Sequence, residues 1–232
     1  TGRYAFEQLR PGIYTVEQVQ PGTVFDGGQR AGTAGGDASQ TNRITSIDLA
    51  AGEIAEFYDF CEEPPSTLSG VVFVDGPPIE LSPDEVLPDD LSEIRDGTLT
   101  PDDQRLANVV VELRNGVTGI AIDSSKALAG HYRSGPIRTV TDENGNYEFT
   151  GLPRGNYAVF EIQPEGYEDG IDTPGTTDGV ALNPIVLAED EPFFNTLFST
   201  LVVKPDGFDA IVRIGLPAGA HSQFNNFSEV LT

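Results

Sequence analysis

Carboxylates crowd residues 75–103: Asp75, Glu80, Asp84, Glu85, Asp89, Asp90, Glu93, Asp96, Asp102 and Asp103. The stretch is long for a connection, and long connections without structure of their own are usually functional or disordered. Calcium takes six to eight hard oxygens at flexible distances, and a glycine lets a binding loop turn so that a backbone carbonyl joins the shell. Asp96, Gly97 and Thr98 offer an acid, a turn and a carbonyl in sequence. Set on a twelve-residue calcium loop, Asp96 falls at position five, Gly97 at six and Asp103 at twelve. Positions one and three are Ser92 and Ile94, which are poor ligands, so a site here must borrow Asp75, Asp90 or Glu93. The expectation is a calcium site built across this acidic loop.

Other chemistry-bearing residues point elsewhere. Asp142, Glu143 and Asn144 precede Gly145, and an ordinary Asn-Gly hairpin turn explains them better than a second ion site. His131, His221 and the single cysteine, Cys61, lack zinc-ligand spacing. One cysteine leaves no disulfide framework within the chain. Ser, His and Asp are present without a nucleophile elbow, and no glycine loop cradles phosphate before a helix. Tyr and Phe alternate as core residues do, which weighs against an aromatic sugar platform. No residue set can be assigned acid, base and nucleophile, and the reading is that the chain is not an enzyme.

The elements that must position the loop are strands. Tyr147 and Phe149 alternate with polar neighbours, the period-2 signature of a half-buried strand. Strands are expected at 4–6, 12–20, 43–49, 55–60, 68–75, 108–113, 119–122, 137–140, 185–187, 194–203, 210–216 and 224–227. Residues 26–42 and 172–183 read as polar turns and loops, and the best place for a helix, of a turn or two, is within 88–94. Many short strands with nothing at helical period argue an all-β sandwich. The chain of 232 residues carries a net charge of −24, with 37 acidic against 13 basic residues. That field repels nucleic acid and anionic lipid surfaces. No apolar run is long enough to span a bilayer, so no membrane insertion is expected.

Two blocks recur in the same order. Tyr4, Phe6, Leu9, Gly12, Tyr14, Val16 and Gln20-Pro21 match Tyr147, Phe149, Leu152, Gly155, Tyr157, Val159 and Gln163-Pro164 at one offset. Leu49, Ala51-Gly52, Phe57, Phe60 and Glu62 match Leu216, Ala218-Gly219, Phe224, Phe227 and Glu229. Residues 65–232 therefore read as a complete unit with an acidic insertion at 76–95. Residues 1–64 read as the C-terminal half of such a unit, whose N-terminal half is absent or supplied by another chain. Pro64 and Pro65 make the spacer short and semi-rigid.

The run G-x-Y-x-F-x-x-L-x-x-G-x-Y-x-V followed by E-x-Q-P-x-G-Y, at 145–167, resembles the B-type repeats of bacterial serine-aspartate surface adhesins, and more distantly the collagen-adhesin B domains. The resemblance implies tandem immunoglobulin-like or transthyretin-like Greek-key β-sandwiches. It also implies a calcium loop after the first strand, with Asp75 at the strand end, Asp96, Gly97 and Thr98 at the turn, and Asp102 and Asp103 closing it. In the collagen-adhesin family a Glu at the place of Glu161 promotes a Lys–Asn or Lys–Asp isopeptide bond. The first strand here has no Lys; the lysines are Lys126 and Lys204, so no isopeptide is expected. The function so implied is structural: a calcium-stabilised stalk, fibre or adhesin at the cell surface or secreted, partnered by neighbouring repeats or copies of itself. The alternative is a module binding a surface glycan or matrix protein, carried on a larger surface protein or enzyme, with residues 179–208 and the aromatics Phe193 and Phe194 as the place to look.

Overall fold

The computed structural model describes residues 2–86, 94–182 and 209–231. It divides into two compact units, Thr1–Pro64 and Pro65–Thr232. The expected strands at 185–187 and 194–203, most of 88–94, and Phe193, Phe194 and Lys204 lie outside the described residues. Among the described residues no helix is long and apolar enough to cross a membrane.

The first unit contains β1 (Gly12–Glu17), β2 (Phe25–Arg30), β3 (Asp37–Gln40), β4 (Arg43–Leu49) and β5 (Asp59–Glu63). They form a sheet in the order β1-β4-β3 and a separate β2-β5 pair. Ile44 and Ile47 of β4 are its buried apolar side chains, while Phe6, Ile13, Val19 and Ile54 are exposed.

The second unit contains β6 (Ser66–Val74), β7 (Gln104–Arg105), β8 (Val110–Asn115), β9 (Arg138–Val140), β10 (Asn146–Leu152), β11 (Gly155–Glu161), β12 (Glu168–Asp169), β13 (Val180–Ala181), β14 (Asp209–Leu216), β15 (His221–Ser222) and β16 (Phe227–Val230). One sheet runs β10-β6-β16-β12, with β7 and β15 also on β6; the other runs β13-β14-β11-β8-β9. Inward residues of the first sheet, among them Leu68, Val72, Tyr147, Phe149 and Phe227, share one core with Val111, Leu113, Val159, Ile211 and Ile214 of the second. The architecture is an all-β sandwich, closed by pairing its first and last strands in parallel: Phe227 lies opposite Val72 and Glu229 opposite Val74. Close approach makes Gly70 obligatory at this seam. A Cβ there would sit 1.7 Å from the Asn225 carbonyl oxygen and 2.8 Å from the Tyr147 hydroxyl.

Several local expectations change. Residues 26–42, read as loop, contain most of β2 and all of β3; their Gly, Gln, Asp and Ser carry no apolar alternation, and pairing with β5 and β4 makes them strands. Residues 4–6, read as a strand, are not one. Their counterpart in β10 is held by β6, and no described strand of the first unit lies beside them to complete a ladder. Residues 119–122 make only a bridge between Arg114 and Ala121. Residues 172–183 include the short β13, paired to β14.

The two units carry the matching blocks in the same register. In β1 and β4, Gly12 faces Leu49, Tyr14 faces Ile47 and Val16 faces Ile44, with a bulge between Tyr14 and Val16. In β11 and β14, Gly155 faces Leu216, Tyr157 faces Ile214 and Val159 faces Ile211, with the bulge between Tyr157 and Val159. Positive φ angles recur at Ser46 and Arg213 and at Phe57 and Phe224. Tyr4 and Tyr147 each donate to a backbone carbonyl, of Tyr58 and Asn225 respectively, at 2.6 Å.

Candidate functional site

The acidic loop leaves the end of β6 and returns through β7, which pairs back onto Phe73 and Val74. Asp75 is buried at the strand end, and its Oδ2 accepts from the Gly97 N–H at 2.9 Å. Asp103 Oδ1 accepts from Gly76 N–H, and its Oδ2 from the Thr100 N–H and hydroxyl. Asp96 Oδ1 accepts from Thr98 N–H at 2.8 Å. Gly97 has φ +64°, and a Cβ on it would meet the Ile171 carbonyl oxygen at 2.4 Å, so glycine is needed on both counts. Arg95 donates to the Pro77 carbonyl and lies against Gly76. Burial raises the Asp75 carboxyl above its usual value against the opposing Gly97 bond. At Asp103 burial also raises, but the bonds from Thr100 and Gly76 outweigh it and the net shift is down.

Asp75, Ile94, Arg95, Asp96, Asp102 and Asp103 line a cleft of about 730 Å³. Of the expected ligands, Asp75, Asp96, Asp102 and Asp103 thus share one cleft, and Thr98 is tied to it through Asp96. The donors are all hard oxygens, which suits calcium. Among the described residues, however, no three of these carboxylates bring an oxygen within 4.8 Å of one another. The turn at Asp142 is an ordinary one: its carboxylate accepts from Asn144 and Asn146 N–H, and Gly145 N–H donates to its carbonyl.

Carboxylates do converge elsewhere, at a place sequence reasoning passed over. Oxygens of Glu161, Asp209 and Glu229 lie within 4.8 Å of one another, and so do oxygens of Asp169, Asp172 and Asp209. They come from the end of β11, from β12 and the turn after it, from the start of β14 and from β16. Pairing of β11 with β14 sets Glu161 opposite Asp209. Pairing of β12 with β16 sets Asp169 opposite Glu229. Glu161 is 3% exposed and Asp209 and Glu229 are 0% exposed. Gln163 donates to Glu229 Oε2, and Ser228 N–H to Asp172 Oδ1 at 3.2 Å. Among the described residues no donor reaches either oxygen of Glu161, Asp169 or Asp209.

Burial is the leading cause of a raised pKa at all five. It pushes Glu161 well up, aided by the Glu229 charge, and Asp209 well up, aided by Asp172. Asp169 is pushed up to about 9, with Asp172 and Glu229 adding to burial. Asp172 rises to about 6, restrained by Asp209 and the Ser228 N–H, and Glu229 to about 7, restrained by Glu161 and Gln163. Glu161 faces Glu229 and Asp172 faces Asp209; two carboxyl groups so placed hydrogen-bond only when one holds a proton. Only Glu161 drew notice in the sequence. The signal for the rest was there at the repeat offsets, where Gln18, Asp26, Gln29, Asn42 and Glu62 stand in the first unit.

No protein-family model matches the chain. A stretch of 69 residues is 41% identical to the serine-aspartate repeat-containing protein C of Staphylococcus aureus strain Newman, and equally to that of strains USA300 and COL. The match covers 25% of this chain and 7% of the relative, so the chain spans less than a tenth of the curated relatives it matches. The resemblance to serine-aspartate repeat proteins is thus borne by sequence identity over that stretch. Among solved structures, the minor pilin GBS52 of Streptococcus agalactiae aligns over 98% of this chain and 64% of its own, at 14% identity and a TM-score of 0.34. The D1 domain of the Streptococcus pneumoniae pilus backbone protein RrgB aligns over 71% and 87%, at 14% identity and a TM-score of 0.25.

Proposed function

We propose that this chain is a structural part of an extracellular stalk, fibre or adhesin, with residues 65–232 as a complete repeat and 1–64 as the second half of another. The observation that carries this reading is the parallel pairing of β6 with β15 and β16. In a parallel pair the start of one strand and the end of the other lie at opposite ends of the seam. Tension entering at Pro65 and leaving past Val230 therefore loads the inter-strand hydrogen bonds in shear, all together rather than one at a time. That arrangement suits a module that transmits force. The matching registers of the two units support a repeat architecture, in which stability is roughly the sum of units and their interfaces. Neighbouring repeats or copies of the same protein are the partners this reading implies, at the cell surface or in secreted material.

Calcium in the acidic loop belongs to the same reading. Asp75, Asp96, Asp102 and Asp103, with the Thr98 carbonyl, would hold it, and the ion would tie the end of β6 to β7. Extracellular calcium modules bind at roughly 10⁻⁴–10⁻³ M. Single-molecule pulling of the full chain tests the mechanical part: the second unit is expected to give one discrete force peak, raised by millimolar calcium. Smooth extension without a peak would sink it. Calorimetric titration of chelator-treated protein tests the loop: heat lost in an Asp75→Asn, Asp103→Asn variant supports it, and heat unchanged in that variant rejects it.

A further inference from the structure

We propose that Glu161, Asp169, Asp172, Asp209 and Glu229 form a second, buried site for a hard divalent cation of the calcium class, separate from the acidic loop. The first unit, on this view, carries the same network in an amide form that needs no ion.

The geometry comes first. Oxygens held 2.3–2.6 Å from one ion can be no more than about 5 Å apart, and both convergent triads meet that limit. Asp209 belongs to both triads, so the two meet at one residue. Three carboxylates binding in bidentate fashion already supply six oxygens, the lower end of what calcium takes. Magnesium, which keeps several waters and a strict octahedron, suits a water-poor interior less well. The donors are all oxygen, so nothing favours a softer metal.

The second observation is burial without partners. Asp209 is 0% exposed and Glu161 3% exposed, and among the described residues neither has a donor on either oxygen. An ionised carboxylate taken out of water is strongly disfavoured unless it is paired. Tyr147 faces the cluster but spends its hydroxyl hydrogen on the Asn225 carbonyl.

The third is internal to the chain. At the repeat offsets, the places of Glu161, Asp172 and Asp209 are taken by Gln18, Gln29 and Asn42, while Asp26 and Glu62 stay acidic. There side-chain amides serve as donors. Gln18 and Gln20 both donate to Glu62, Gln29 donates to the Ala38 carbonyl at 2.7 Å, and Gln29 accepts from Asn42 N–H at 3.1 Å. Two side-chain amides, Gln18 and Gln29, thus supply donors in the first unit where Glu161 and Asp172 stand in the second and, when ionised, have none to offer. An ion restores the balance that the amides provide.

The test uses the full chain stripped with chelator and titrated with calcium, alongside two variants. Glu161→Gln with Asp209→Asn installs the residues found at Gln18 and Asn42, and Asp75→Asn with Asp103→Asn removes the loop site. The expected result is a class of bound ion that survives the loop variant and is lost, or weakened at least tenfold, in the amide variant, with native mass spectrometry counting the ions. An amide variant that binds as many ions as the parent with unchanged affinity overturns the proposal. So does a loop variant that binds none. A loop variant that binds as many ions as the parent, all of them lost in the amide variant, would overturn the calcium part of the functional reading and leave this site standing. Should the amide variant fold poorly, terbium replaces calcium and Tyr147 serves as antenna. Tyr147→Phe is expected to abolish tyrosine-sensitised emission from the loop variant without lowering the ion count; undiminished emission counts against the site.

Discussion

Raising the pH in the presence of chelator should destabilise the second unit, and the structure gives the size. Glu161, Asp169, Asp172, Asp209 and Glu229 all have pKa values raised by folding, first through burial and then through one another. Tyr147, Gln163 and Glu168 are the other groups that face them. A carboxyl whose folded pKa exceeds its unfolded one holds a proton that the unfolded chain releases. Its contribution is complete below the unfolded value, near pH 4, and is lost as pH climbs to the folded value. The windows close at about 6 for Asp172, about 7 for Glu229 and about 9 for Asp169. Carboxylates with lowered values, such as Asp103 and Asp142, act in the opposite sense but only below pH 4. Between pH 6 and 8 at least one retained proton remains, worth about 1.4 kcal/mol per pH unit. Stability then falls by about 3 kcal/mol or more over that range, and the melting midpoint by roughly 6–12 °C for a unit of this size. Circular dichroism melts at pH 6, 7 and 8 with chelator read this directly. A midpoint that stays level or rises with pH would refute the reasoning. Millimolar calcium should abolish the fall, since an ion then takes the place of the protons.

Three further outcomes follow from single places in the fold. At tenfold excess over its dissociation constant, calcium in the acidic loop should stabilise the protein by about 1.4 kcal/mol, a gain that Asp75→Asn should remove from paired melts with and without the ion. Gly70→Ala should lower stability by about 1–3 kcal/mol or more in denaturant titration, because its methyl group meets the Asn225 carbonyl at 1.7 Å and forces β6 away from the segment joining β15 to β16. Ile214→Ala should cost about 2–5 kcal/mol in the same titration without altering ion binding, since Ile214 is fully buried in the shared core.

Much of the strand pattern was legible because a half-buried strand writes its orientation into every second residue. The alternation of Tyr147 and Phe149 in β10 is read that way. β2 and β3 were not legible, since FDGGQR and DASQ owe their strand form to backbone bonds with distant partners. Conversely, residues 4–6 carry the same alternation as β10 and lack its ladder.

For the acidic groups the division is sharper. Sequence alone determined that carboxylates abound, that those of 75–103 cluster locally with a glycine turn at Gly97, and that Glu161 has Glu17 or Gln18 as its counterpart in the first unit. Only tertiary structure decided which carboxylates meet. Asp75, Asp96 and Asp103 belong to one stretch of the chain, yet each is occupied by N–H groups of that stretch. Glu161 and Glu229 are far apart in the chain and are brought together in the interior. The physical reason is that a local pattern fixes which face a residue takes, whereas desolvation and charge proximity depend on which strands pair across the sandwich.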